Sequence, residues 1–234
     1  MPEHQERLAR PSRIPALARV ACVLATLFAC EAPAPAPSGP ARAVAEAPPV
    51  VDAPVIVALG TSLTAGLGLA QSEAWPALVQ ARLDREGYRY RVVNAGVSGD
   101  TSAGGLSRLD WQLGQKPAIV IVELGANDGL RGLPVAQLKE NLGKIIARSR
   151  AAGAAVVLAG MQAPPNMGAD YADSFRALFP ALADEYHVPL VPFLLAGVAA
   201  EARLNQADGI HPTAEGQRIV ADNVWTTLAP LLKK

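Results

Sequence analysis

The sequence predicts an α/β domain, a three-layer α/β/α arrangement around a five-stranded parallel sheet of flavodoxin-like order. Two observations carry that expectation. Five short apolar runs alternate along the chain with five segments of helical character. Strands that alternate with helices pair in parallel, and their crossover helices cover both faces of the sheet. The chain length, 234 residues, suits one such domain and is short for two. No internal repeat of fixed period is visible.

The first strand is Val55 to Leu59, an apolar, β-branched run that stops at Gly60 and delivers Thr61 and Ser62 into a glycine-rich turn. A helix opens near Ser72, a suitable N-cap, with Pro76 tolerated in its first turn, and stops near Gly87. Tyr90 to Asn94 reads as the second strand and Ser102 to Gly114 as the next helix. Ala118 to Leu124 is the clearest buried strand and ends at Gly125-Ala126-Asn127-Asp128. Leu133 to Ala152 is helical, with Leu138, Leu142, Ile145 and Ile146 at three- and four-residue spacings. Ala154 to Gly160 is the fourth strand, followed by a loop from Gln162 to Gly168. Asp170 to Tyr186 is a helix, and Val188 to Val191 the fifth strand. A loop from Leu204 to Pro212 precedes a final helix from Thr213 to about Leu232.

The N-terminal residues read differently. Arg7, Arg10, Arg13 and Arg19 precede the apolar run Val20 to Ala29, which fits a secretory signal over residues 1–29. The run is too short for a transmembrane helix. Leu27-Phe28-Ala29-Cys30 resembles a bacterial lipobox, with Phe28 a departure from the small or β-branched residue usual there. That resemblance implies lipidation at Cys30, a lipoprotein and a location in the bacterial cell envelope, periplasmic and anchored to a membrane. Residues 30–52 are rich in Ala and Pro, a composition that gives a semi-rigid tether. The folded domain is expected over 53–234.

Composition narrows the function. Lys plus Arg equals Asp plus Glu, 21 each, so no basic excess neutralises phosphates and nucleic acid is not an expected partner. Both cysteines, Cys22 and Cys30, precede the domain, which excludes a disulfide framework and a cysteine-based zinc site within it. No cofactor or metal is implied, and a monomer is expected.

Polar residues gather just past the strand ends, where open α/β sheets bind ligands: Ser62, then Ser98-Gly99-Asp100, then Asn127-Asp128. They offer a hydroxyl, a glycine amide and a carboxamide, a serine with candidate oxyanion donors. Of three histidines, His4 precedes the signal core and His187 falls at the wrong end of the sheet. His211 remains, in Asp208-Gly209-Ile210-His211-Pro212. An aspartate three residues before a histidine can place its carboxylate against Nδ1 while Nε2 accepts the serine proton. The same pair can also be a simple turn cap. Gly60-Thr61-Ser62-Leu63-Thr64 is not a G-x-S-x-G elbow, because Thr64 stands where that elbow needs glycine.

Four blocks together resemble the SGNH/GDSL hydrolase family, and within it the arylesterase, acyl-thioesterase and lysophospholipase group. They are Gly60 to Gly66, Asn94 to Thr101, Gly125 to Gly132 and Asp208 to Pro212, in that order. The resemblance implies Ser62 as nucleophile, His211 as base and Asp208 as its orienting acid. It implies an oxyanion hole of the Ser62 amide, the Gly99 amide and the Asn127 side chain. The implied activity is hydrolysis of carboxylic ester or thioester bonds of small acyl substrates through an acyl-enzyme. One departure stands out. Thr61 occupies the position of the aspartate in the motif name, which bears on hydrogen bonding in the loop. The resemblance also implies that Leu130 to Pro134 and Gln162 to Gly168 line an acyl pocket, with Met167, Pro164 and Pro165 in apolar contact. Two alternatives are an envelope carbohydrate O-acetylesterase and a non-catalytic lipid-binding lipoprotein.

Overall fold

A computed structural model describes residues 53–234. The expected signal segment, Cys30 and the expected Ala/Pro-rich tether lie outside the described residues. Five parallel strands form one sheet: β1 (Val55–Gly60), β2 (Arg91–Gly96), β3 (Ile119–Glu123), β4 (Ala155–Ala159) and β5 (Leu190–Val191), in the order β2-β1-β3-β4-β5. That is the flavodoxin-like order. β1 and β3 are buried along their whole length, as continuous apolar runs in a sheet covered on both faces must be. Each fully buried Val, Ile or Leu in them contributes about 1.5–3 kcal/mol.

The helices divide into two layers. α2 (Trp75–Glu86) packs with α8 (Ala214–Leu228). α3 (Ser102–Ser107), α6 (Val135–Ala151) and α7 (Ala169–Tyr186) form the other layer. Pro76 falls in the first turn of α2, where its missing N–H costs no hydrogen bond. The helix expected over Ser102 to Gly114 is two helices, α3 and α4 (Leu109–Leu113), with Arg108 between them in neither. The fifth strand is shorter than expected, two residues. The last helix ends at Leu228 and continues as a 3₁₀ turn, Ala229–Leu231.

The carboxyl edge of the sheet is level. Gly60 pairs with Gly96 on one side and with Glu123 on the other. Past Gly60 the chain folds straight into a one-turn helix, α1 (Ser62–Ala65), lying over that edge. Glycine is required beneath it. A Cβ on Gly96 would collide with the Ala65 amide and come within 2.7 Å of the Thr61 carbonyl, both backbone atoms. Gly96→Ala should therefore cost about 1–3 kcal/mol, the usual range for overpacking, and should lower esterase activity by displacing α1. Urea unfolding alongside ester hydrolysis measures both; an unchanged stability would mean that α1 yields freely.

Candidate active site

Thr61 caps α1. Its backbone is extended, and its hydroxyl accepts the Leu63 N–H at 3.3 Å. Ser62 thus becomes the first residue of the turn, with Gly66 closing it in the left-handed region at φ +75°. α8 steadies the turn from below through buried Gln217. Its side-chain amide donates to the Leu63 carbonyl at 3.1 Å, and its carbonyl accepts the Trp75 N–H at 2.8 Å.

Under the same turn lies Glu123, fully buried at the end of β3. Its Oε2 accepts the Thr61 N–H at 2.8 Å and the Thr64 hydroxyl at 2.7 Å, and the Thr61 hydroxyl lies 3.1 Å from both carboxyl oxygens. Burial raises its pKa from 4.5 to about 7, against the opposing effect of these donors.

The loop carrying His211 is a tight turn. Gly209 takes φ +75°, and Asp208 Oδ1 accepts the N–H groups of Ile210 and His211, each at 3.0 Å. Asp208 Oδ2 lies 2.7 Å from His211 Nδ1, and His211 Nε2 lies 2.8 Å from Ser62 Oγ. The network is satisfied when Nδ1–H donates to Asp208 and Nε2 accepts the Ser62 hydroxyl proton. The backbone N–H of His211, then that of Ile210, then the imidazole hold the Asp208 carboxyl at about 2. Gln206 pins this loop to the nucleophile turn by donating to the Leu67 carbonyl at 2.7 Å.

Two further loops complete the edge. Gly99 adopts φ +84°, and its carbonyl accepts from Arg131 at 2.8 Å. Asn127 lies in α5 (Ala126–Leu130), and its side-chain amide donates to the Asp100 carbonyl at 2.8 Å. Asp128 is buried and accepts the Ser102 N–H at 2.8 Å and the Ser102 hydroxyl at 2.6 Å, while Asn141 of α6 donates to that hydroxyl at 3.0 Å. Gly125 and Gly129 bring the loop against Phe179 and Phe175 of α7. Ser62, Gly99, Asn127 and His211 all face one cleft of about 570 Å³, whose apolar walls include Leu130, Met161 and Phe193.

The model of the GDSL-like lipase/acylhydrolase family matches residues 58–219, a span that includes all four loops. The chain belongs to this family. As a GDSL-like acylhydrolase it is an enzyme that hydrolyses ester bonds. Over 181 residues it is 51% identical to esterase TesA of Pseudomonas aeruginosa, covering 77% of this chain and 90% of that protein. It is 42% identical over 181 residues to thioesterase 1/protease 1/lysophospholipase L1 of Escherichia coli, covering 77% and 86%. The crystal structure of TesA superposes with a TM-score of 0.74, covering 76% of this chain and 99% of that one. Esterase EstA from Pseudoalteromonas, in a structure inhibited by monoethylphosphonate, superposes with a TM-score of 0.72 at 37% identity, covering 75% and 97%.

The structure brings Ser62, Asp208 and His211 into one hydrogen-bonded chain and sets Gly99 and Asn127 on the same cleft. Ser98 also lines the cleft, whereas Ser102 is buried against Asp128. His187 caps the C-terminus of α7, before β5 begins. Of the residues expected around an acyl pocket, Leu130, Gln162, Ala163 and Pro164 line the cleft. Met167 is instead directed at Gly132, where a Cβ would lie 2.8 Å from its Cε, and Met161 supplies the methionine of the cleft wall. Sequence reasoning passed over Glu123 as part of an apolar strand. A lone acid ending such a run was its signal.

Glu123 also gives this GDSL-family fold a pH dependence. The native state keeps its proton to about pH 7, while the unfolded chain releases it near 4.5. Between those values the native state binds more protons, so stability falls as pH rises, by on the order of 3 kcal/mol in total. Asp208 acts oppositely, its contribution being present above 3.8 and lost as pH falls through about 2. Urea unfolding from pH 4.5 to 8 should show the decline in the parent and a flattened profile in Glu123→Gln. A decline of equal size in the variant would assign it to another group.

Proposed function

We propose that the protein hydrolyses carboxylic esters and thioesters of small acyl substrates through an acyl-enzyme on Ser62. The observation that carries this reading is the hydrogen-bonded chain Ser62–His211–Asp208, at 2.8 and 2.7 Å, opening on an apolar cleft. Ser62 Oγ attacks the acyl carbonyl as its proton passes to His211 Nε2. Asp208 holds the imidazole and stabilises its cationic form. The tetrahedral oxyanion is bound by the Ser62 and Gly99 amides and by the Asn127 proton not engaged with Asp100. The intermediate expels the alcohol or thiol, which leaves with the proton from His211. Water, deprotonated by His211, then releases the acid and restores Ser62.

The cleft wall supports an acyl chain longer than acetyl. Leu67, Leu130 and Ile210 line it and stay about half exposed, 45%, 45% and 46%, an apolar mouth suited to an amphiphile and larger than an acetyl group needs. p-Nitrophenyl esters from acetate to palmitate should show the best kcat/KM beyond acetate. Ser62→Ala should lower kcat by about 10⁴-fold or more with its circular dichroism unchanged. Strict acetyl preference would favour the O-acetylesterase alternative, and full activity in the variant would remove Ser62 from the mechanism.

The N-terminal reading joins this proposal. Residues 1–29 act as a lipoprotein signal, Cys30 becomes the lipidated N-terminus, and residues 30–52 tether the hydrolase domain, 53–234, to a membrane on the periplasmic side. The basic start, the short apolar run and the lipobox-like Leu27 to Cys30 support it. The domain acts as a monomer. Among the described residues, no helix is long and apolar enough to cross a membrane. Mass spectrometry of the mature protein should find a diacylglyceryl- and acyl-modified Cys30; an unmodified N-terminus would overturn the anchor while leaving the hydrolase reading intact.

A further inference from the structure

The proposed chemistry needs Ser62, Gly99 and Asn127 at fixed distances from one another, yet they come from three loops. We propose that Arg108 is a positioning residue for this reaction, its guanidinium setting the oxyanion loop against the nucleophile turn. The inference rests on the acyl-enzyme reading above.

Arg108 stands in the break between α3 and α4, at φ −102° and ψ 4°. From there its side chain makes three hydrogen bonds. Nε donates to Asp100 Oδ2 at 2.6 Å, Nη1 to the Ala95 carbonyl at 2.7 Å and Nη2 to the Gly60 carbonyl at 2.8 Å. Gly60 immediately precedes Thr61-Ser62, and Asp100 immediately follows Gly99. The Asp100 carbonyl in turn accepts from the Asn127 side chain at 2.8 Å. One planar group therefore spans the nucleophile turn and the glycine loop, and through Asp100 it reaches the asparagine.

The sheet does only part of this work. β1 and β2 are in register up to Gly60 and Gly96, the Val97 N–H still donates to the Gly60 carbonyl at 3.0 Å and Asn94 to the Thr64 carbonyl at 2.9 Å, but no ladder bond reaches Gly99 or Asp100. The arginine acts at that level. Its side chain is 20% exposed and that of Asp100 19%, so the pair is shielded more than a surface ion pair, whose contribution is small. Gly104 leaves the space that Asp100 occupies, since a Cβ there would lie 2.7 Å from Asp100 Oδ1. Three directed donors in a rigid plane are a property of guanidinium, and an ammonium group cannot reproduce them.

The test measures Arg108→Ala, Arg108→Lys and Asp100→Asn beside the parent and Ser62→Ala on one p-nitrophenyl ester. A misplaced oxyanion loop should lower kcat of Arg108→Ala by about 10²-fold while KM stays within about twofold. Arg108→Lys should recover little. Millimolar guanidinium, filling the space the side chain vacates, should raise kcat of Arg108→Ala and should leave Ser62→Ala inactive. Equal sodium chloride should have no such effect. Should Arg108→Ala fail to fold, the kcat and KM of the other two variants decide the matter in the same way. Folded Arg108 variants with parental kcat, whatever their melting temperature, would reduce the residue to a scaffold role and overturn the proposal. An inactive parent would sink the acyl-enzyme reading and this inference with it, whereas an active parent with unimpaired variants would sink this inference alone.

Discussion

Everything at the candidate site hangs from one row of the sheet, where Gly60 of β1 faces Gly96 and Glu123. Parallel pairing fixes that row to the residue, because a slip by one would turn every buried side chain of β1 to the opposite face. Two positions in the row carry no side chain, and the space above them is filled by the turn holding Ser62 and by the Glu123 carboxyl. The nucleophile is thus positioned by backbone register and by a hole shaped to receive it. The histidine loop, by contrast, joins through a few side-chain bonds, from Gln206 to the Leu67 carbonyl and between His211 and Ser62.

The two acids of the site work in opposite surroundings. Asp208 lies on an exposed turn, and amide donors hold its carboxyl at about 2, so it remains an anion wherever His211 must become a cation. Glu123 has no contact with water, and desolvation lifts its pKa to about 7 despite several donors. A charged Glu123 would add negative potential beneath the place where an oxyanion forms. Near and below neutrality a substantial fraction is neutral, and the field at the cleft is then set by the oxyanion donors. Burial thereby lets a carboxyl group serve as a hydrogen-bonding hub at limited electrostatic cost.

Much of this was legible in the sequence. The parallel five-stranded sheet followed from alternation, and Ser62, Gly99, Asn127, Asp208 and His211 stood out because each lies just past a strand or in a tight turn of recognisable chemistry. The parts that were not legible depend on contacts distant in sequence. Nothing local marks Glu123 as the partner of Thr61, 62 positions away. Arg108 looked like an interior residue of a single helix, because propensity carried the pattern through it. Tertiary hydrogen bonds to Gly60 and Ala95 accompany the break that actually occurs there. The shortness of β5 is likewise a matter of what lies beside it, since it pairs only with the last two residues of β4.

Thr61 is the point at which this chain departs from its family's motif name, and the geometry gives the substitution a physical meaning. An aspartate at 61 would set a second carboxyl against Glu123, and two acids at that separation cannot both ionise; one proton would have to be shared between them. Threonine brings a hydroxyl instead. It donates toward Glu123 while its own oxygen accepts the Leu63 N–H, so one side chain both caps the nucleophile helix and satisfies the buried acid. Thr64 supplies the second hydroxyl at 2.7 Å. The turn is closed by neutral donors around a single titrating group, and the only acid coupled to the histidine is Asp208 among the described residues. Titration beneath the serine and titration beside the histidine are therefore separable in this protein, each governed by its own loop.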